Sequence, residues 1–119
     1  MTHPRYLEDD GGFLKQDAPF RIYALALGMG VRDFVVPGNK PERITMYREL
    51  FRTKLAAPVL YSPGLVTQGG DISESGKAAG QDWHAICGRA VYNPLNRKSL
   101  DEVTIEEMRE SLQKLVSKV

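Results

Sequence analysis

One cysteine, Cys87, is all the sequence holds, and His3 and His84 are its only imidazoles. A single thiol excludes an internal disulfide framework and any metal site built of cysteines alone. It fits a reducing compartment, so a cytoplasmic location is expected. Charge of one sign is also missing: 16 Lys and Arg oppose 15 Asp and Glu, a formal charge of +1. Nucleic acid, a membrane surface and polyacidic partners therefore have no compositional support. Long apolar runs are lacking too. The longest, residues 20–31, contains Arg21 and ends among Gly28 and Gly30, too short to span a bilayer, and no basic-then-apolar leader opens the sequence. A length of 119 residues suits one domain, 1–119, and excludes two well-packed ones.

What is present alternates. Residues 1–17 carry polar and turn-forming types without periodicity, which reads as a loop or arm. Residues 20–27 fit a helix or a buried strand; their alanines and leucines favour helix, with Gly28 and Gly30 as the stop. Residues 31–36 are apolar and β-branched up to Pro37-Gly38, a short buried strand. Pro41 then opens a helix whose Ile44, Tyr47, Phe51 and Leu55 share one face. A second strand at 58–61 leads through a glycine-rich loop to a weak helix over 73–79, and a third strand follows at 84–87. Thr104 and Glu107 form a capping-box pair ahead of a stripe of Ile105, Met108, Leu112, Leu115 and Val116, expected to be core. Short apolar strands alternating with helices predict an α/β fold with a parallel sheet of about three strands and flanking helices.

In such sheets ligands meet the loops beyond the C-terminal ends of the strands. Two of these loops have a composition suited to phosphate. Gly64, Gly69 and Gly70 allow close backbone approach to an anion, and Gln68 adds an amide donor. Gly88 opens the backbone after the third strand, and Arg89 offers a fork of donors. The same residues also make plain turns and a solvated charge, and spacing alone does not choose between these roles. Other candidates read as structural. His84 opens a strand at the end of the sheet away from the expected site, and His3 lies in the N-terminal arm. Cys87 fits a small core residue, Asp71 a helix cap, and Trp83 a packing residue or interface anchor. No metal-ligand or cofactor motif is found.

Tyr61-Ser-Pro-Gly-Leu-Val-Thr-Gln-Gly-Gly-Asp71, followed by Ile86-Cys-Gly-Arg-Ala-Val-Tyr92, closely resembles the end of the orotidine 5'-monophosphate decarboxylase family, particularly its archaeal and bacterial branch. The family pattern there is Ser-Pro-Gly, a short variable stretch, Gln-Gly-Gly-Asp, then a strand ending Val-Gly-Arg-Ser-Ile-Tyr. Met1-Thr-His-Pro4 resembles the family's Met-Ser-His-Pro segment after strand 5. Residues 31–43, with Pro37 and Pro41-Glu-Arg43, resemble strand 6 and the start of its helix.

The resemblance implies the carboxy-terminal half of a TIM-type β/α barrel holding family strands 6–8. It implies that Gln68, the backbone N–H of Gly88, and Arg89 hold a nucleotide 5'-phosphate. Pro63 would line the site beside the base and the leaving carbon dioxide, and Thr2 would contact the pyrimidine where the family has Ser. Ala90 replaces the family's Ser after the arginine, and Gly38 stands where the archaeal pattern has Ser. The family's catalytic Asp-x-Lys-x-x-Asp segment has no counterpart in the sequence. No catalytic residue is therefore assigned, and the chain alone is expected to be inactive. The implied ligand is orotidine or uridine monophosphate, and the implied partner is a complementary amino-terminal half or further copies of the chain. The alternatives are a non-catalytic, self-associating nucleotide- or phosphate-binding half-barrel and a truncated reading frame. A complete barrel of this kind needs ~200 residues or more.

Overall fold

The computed structural model describes residues 3, 5–55, 57–97 and 99–119. Among the described residues, five α-helices and three strands follow in the order α1 (Ala18–Gly28), β1 (Asp33–Val35), α2 (Pro41–Arg52), β2 (Val59–Ser62), α3 (Ile72–Ala79), β3 (Trp83–Ala85), α4 (Arg89–Tyr92) and α5 (Ile105–Val116). The strands form one parallel sheet in the order β1-β2-β3. This is part of an α/β barrel: consecutive parallel strands joined by helices, with no closure.

The register explains which side the helices take. Phe34 pairs with Leu60, and Leu60 with Trp83, so these three side chains share one face. Phe34 and Leu60 are buried there with Tyr23 and Leu27 of α1, Ile44, Tyr47 and Phe51 of α2, and Ala79 of α3. The core is unusually aromatic. Phe34 stacks on Phe51 with centroids 4.0 Å apart, and Tyr23 meets the edge or face of Phe34, Tyr47 and Phe51 at 4.8–5.8 Å. Each such ring stabilises the fold by roughly 1.5–3 kcal/mol through burial. The Tyr23 hydroxyl donates to the Val35 carbonyl at 2.6 Å, which removes the cost of burying a phenol, and burial pushes its pKa well up.

The other face carries Asp33, Val35, Val59, Tyr61, His84 and Ile86, and none of these is fully buried. Val35 is 52% and Ile86 46% exposed, in positions that a closed barrel would bury. The open face and the splayed final helix leave the chain extended. Its radius of gyration is 16.0 Å, against about 13.5 Å for a typical globular chain of this length.

Several expectations need correction. β1 and β3 are shorter than the apolar runs at 31–36 and 84–87, and β3 starts one residue earlier, at Trp83. His84 is therefore not at the strand's beginning but in its middle, on the open face, stacked on Tyr61 at 4.8 Å. Cys87 lies beyond β3 and is half-buried; burial still pushes its thiol pKa up, the opposite of what a nucleophile needs. The α5 stripe is not core: Ile105, Leu112 and Val116 are exposed, and only Met108 and Leu115 are half-covered. Amphipathic periodicity marks a face that can be buried, and here α4 packs against part of it.

The described part of the N-terminal segment is a closed loop. Leu7 is buried and bridges to Leu14 around a short 3-10 turn (Glu8–Asp10). Lys40 ties this loop to the start of α2, lying 5.9 Å from the Tyr6 ring centre and 4.0 Å from Asp10. Among the described residues no helix is long and apolar enough to cross a membrane.

Candidate functional site

The loops that follow β1, β2 and β3 lie at one end of the sheet, as parallel pairing requires, and the first two are locked together through their backbones. The Gly38 amide donates to the Pro63 carbonyl at 2.8 Å, and within the second loop the Gly70 amide donates to the Gly64 carbonyl at 3.2 Å. A Cβ on Gly38 would lie 2.6 Å from the Pro63 oxygen, and one on Gly70 would lie 2.5 Å from the Gly38 oxygen. Buried Ser75 of α3 donates to the same Gly38 oxygen at 2.6 Å. These contacts account for Gly38 standing where a serine was expected from the resemblance: the close approach leaves no room for a side chain.

Above this junction the loop turns tightly. Val66 donates to the Gly70 carbonyl at 2.7 Å, Gly69 to the Val66 carbonyl at 3.1 Å, and Val66 holds a φ of 61°. A β-branched residue in the left-handed region stores strain of about 1–3 kcal/mol. The hydrogen bonds of the turn offset it and fix the direction of Gln68, which projects exposed at the tip. Asn39, from the loop after β1, donates its amide to the Gln68 carbonyl at 3.4 Å. Asp71 closes the loop as the cap of α3, accepting the Glu74 amide at 2.9 Å. That is the capping role expected of it.

Gly88 and Arg89 follow β3 directly. Gly88 precedes the single turn of α4, and Arg89 is the first residue of that turn, exposed. Ala90, where the family pattern has Ser, is buried, and its carbonyl accepts the Ser111 hydroxyl of α5. Arg89 lines a cleft together with Val66 and Thr67, so the loop after β2 and the start of α4 face one another. Pro63 is half-buried at the end of β2. Thr2 lies outside the described residues. Gln68, Gly88, Arg89 and Pro63 thus sit at the C-terminal ends of two neighbouring parallel strands. Backbone and side-chain donors beside close-packed glycines are the composition that lets a loop approach an oxyanion.

Sequence reasoning missed the clasp itself. Gly38, Gly70 and Ser75 interact across long separations in the chain, and only the glycines gave any local signal. It also missed the bond from Trp83 Nε1 to the buried Ser62 hydroxyl at 2.9 Å, which joins β3 to β2 behind the loops. Trp83 is thus a packing residue with a polar anchor. Among the described residues no group of three or more His, Cys, Asp or Glu is placed to hold a metal ion.

Comparison with known proteins returns one consistent set of relatives. The chain is 37% identical over 92 residues to an orotidine 5'-phosphate decarboxylase of Methanosarcina barkeri, covering 77% of this chain and 37% of that protein. It is 37% identical over 75 residues to the Pyrococcus horikoshii enzyme of the same name, covering 63% of this chain and 34% of that one. With the Methanosphaera stadtmanae enzyme it shares 28% identity over 109 residues, 92% of this chain and 45% of the relative. The chain spans less than half the length of these curated relatives. No family model matches it.

Proposed function

The chain belongs to the orotidine 5'-phosphate decarboxylase family by sequence relationship, and from that premise we propose that it is the phosphate-gripping, carboxy-terminal part of such an enzyme. The reaction would convert orotidine monophosphate to uridine monophosphate and carbon dioxide, a step of pyrimidine biosynthesis in the cytoplasm. The observation that carries the reading is that Gln68 and the Gly88-Arg89 pair lie in the loops after adjacent parallel strands, on the segments that carry the family motifs. In this reading the Gly88 amide and the Gln68 and Arg89 side chains donate to the 5'-phosphate. Pro63 packs beside the base, and Thr2 supplies a hydroxyl to the pyrimidine.

Binding energy gained at the phosphate is remote from the reacting carbon, so the grip positions the substrate and leaves the chemistry to other groups. The lysine and carboxylates that would protonate the carbon vacated by carbon dioxide are not in this sequence. Decarboxylation therefore requires a complementary amino-terminal half. Mixing the chain with such a half and assaying orotidine monophosphate turnover tests this; no activity at any stoichiometry rejects it. Calorimetry of uridine monophosphate binding tests the grip alone. Arg89→Ala should cost roughly 1.5–3 kcal/mol, the loss of a charge-assisted phosphate contact.

A second reading, a non-catalytic half-barrel that binds a nucleotide or phosphate and self-associates, is favoured by the uncovered sheet face bearing Val35 and Ile86. β1 and β3 are the outer strands of the sheet among the described residues, where a further copy could add a strand. A stable folded monomer in sedimentation would reject it.

A further inference from the structure

Beside Arg89, a cleft of about 420 Å³ opens between α4, α5 and the loop after β2. That volume is in the range of small-molecule sites. Three cations line it, Arg89 from α4, Lys114 from α5 and Lys118 just beyond the end of α5, and no carboxylate does. None of the three forms an ion pair among the described residues. For Lys114 this is informative. Glu110 stands four residues before it on α5, the spacing and order that favour pairing, yet the two do not pair. Glu107, in the first turn of α5, is already engaged by Arg97 at 2.7 Å.

The opposite walls of the cleft carry a second feature. Val66 and Asn96, the two non-glycine residues with positive φ among the described residues, both line it, at 61° and 52°. Strain of this kind collects at ligand clamps. Thr67 adds a hydroxyl that makes no hydrogen bond to the described residues. An anion in this concavity would meet three cations and no carboxylate of the lining.

We propose that this cleft binds a phosphate dianion, free or as a phosphomonoester, through Lys114, Lys118 and Arg89. The site is distinct from the nucleotide grip and shares only Arg89 with it. Gln68 and Gly88 do not line the cleft, and Lys114 and Lys118 have no part in the grip. An anion held here competes with the nucleotide for the Arg89 guanidinium.

The test is a titration of the full, isotopically labelled chain with inorganic phosphate, followed by backbone amide shifts. Shifts are expected at Asn93, Asn96, Ser111, Lys114 and Leu115. The Lys114→Gln/Lys118→Gln double variant should weaken binding at least about tenfold, as loss of two charge-assisted contacts implies. Lys114→Arg/Lys118→Arg should retain it, and Gln68→Ala should leave it within about twofold. Both lysines are exposed and glutamine has similar helix propensity, so the variants should fold. Shifts confined to residues 68–70 and 88–89, unchanged in the double variant, would overturn the cleft site while favouring the nucleotide grip. Absence of any shift into the millimolar range would overturn it as well. A parallel titration with uridine monophosphate reads the grip separately: it should be weakened by Gln68→Ala and untouched by the lysine substitutions.

Discussion

Gly38 lies directly against Pro63, its amide donating to the proline carbonyl at 2.8 Å and its α-carbon turned so that a Cβ would stand 2.6 Å from that oxygen. The contact joins the loop after β1 to the loop after β2, at the base of the segment that presents Gln68. Gly38→Ser should therefore force the two loops apart. The expected loss is about 1–3 kcal/mol, the usual cost of overpacking a tight interior, read as a lower urea midpoint with an unchanged slope. An unchanged midpoint would mean that the loops separate freely and that no clasp exists.

The expected α/β alternation holds because each element had a local cause. Pro41 starts α2, Asp71 and Thr104 cap α3 and α5 through their side chains, and apolar spacing marks the buried faces of α1 and α2. The places of the loops after β2 and β3 were legible from glycine content and from resemblance. What stayed hidden depends on partners distant in sequence. The Gly38–Pro63 contact spans two strands, and Trp83 reads as lying just ahead of the third strand until the register sets it beside Leu60. The α5 stripe predicted burial because periodicity reports a face and not whether anything covers it. Residues 1–17 showed no periodicity, yet one buried leucine and the Lys40 contacts are enough to close the described part.

Gly76 and Trp83 set propensity against packing. In an exposed helix, Gly→Ala gains up to about 1 kcal/mol. At Gly76, however, the new Cβ would sit 2.9 Å from the Trp83 ring, and that ring is held by its bond to Ser62. Gly76→Ala should therefore destabilise the chain despite its better propensity. Trp83→Phe should also destabilise, by about 1–2 kcal/mol, because the buried Ser62 hydroxyl loses its donor. Thermal unfolding measures both, and a stabilised Gly76→Ala would show the tryptophan to be free to move.

On the open face Tyr61 donates to the Asp33 carboxylate at 3.1 Å, and this bond, more than any burial, holds the phenol above its ordinary value of 10.0. Raising a phenol's pKa favours its neutral form in the folded chain. The stabilisation is thus complete below the unfolded value and lost as pH rises through the folded one. Asp33→Ala should bring one tyrosine back toward 10.0 in an ultraviolet absorbance titration. An identical titration curve in the variant would show that the pair does not persist in solution.

Glu107 behaves in the opposite sense. Its carboxylate accepts the Thr104 amide at 2.9 Å and the Arg97 guanidinium at 2.7 and 3.1 Å, closing the capping box and tying the loop before α5 to the helix. The Thr104 amide, with Arg97 adding to it, holds the carboxyl below its ordinary value of 4.5. A depressed folded value contributes stability that is present above 4.5 and disappears as pH falls through the folded pKa. Glu107→Gln keeps the shape but not the charge, so it should destabilise the chain at neutral pH and converge with the parent in acid. Urea midpoints of both proteins across that range measure the difference. A gap that stayed constant from neutral pH to acid would assign the effect to packing at the helix start and remove the ion pair from the account.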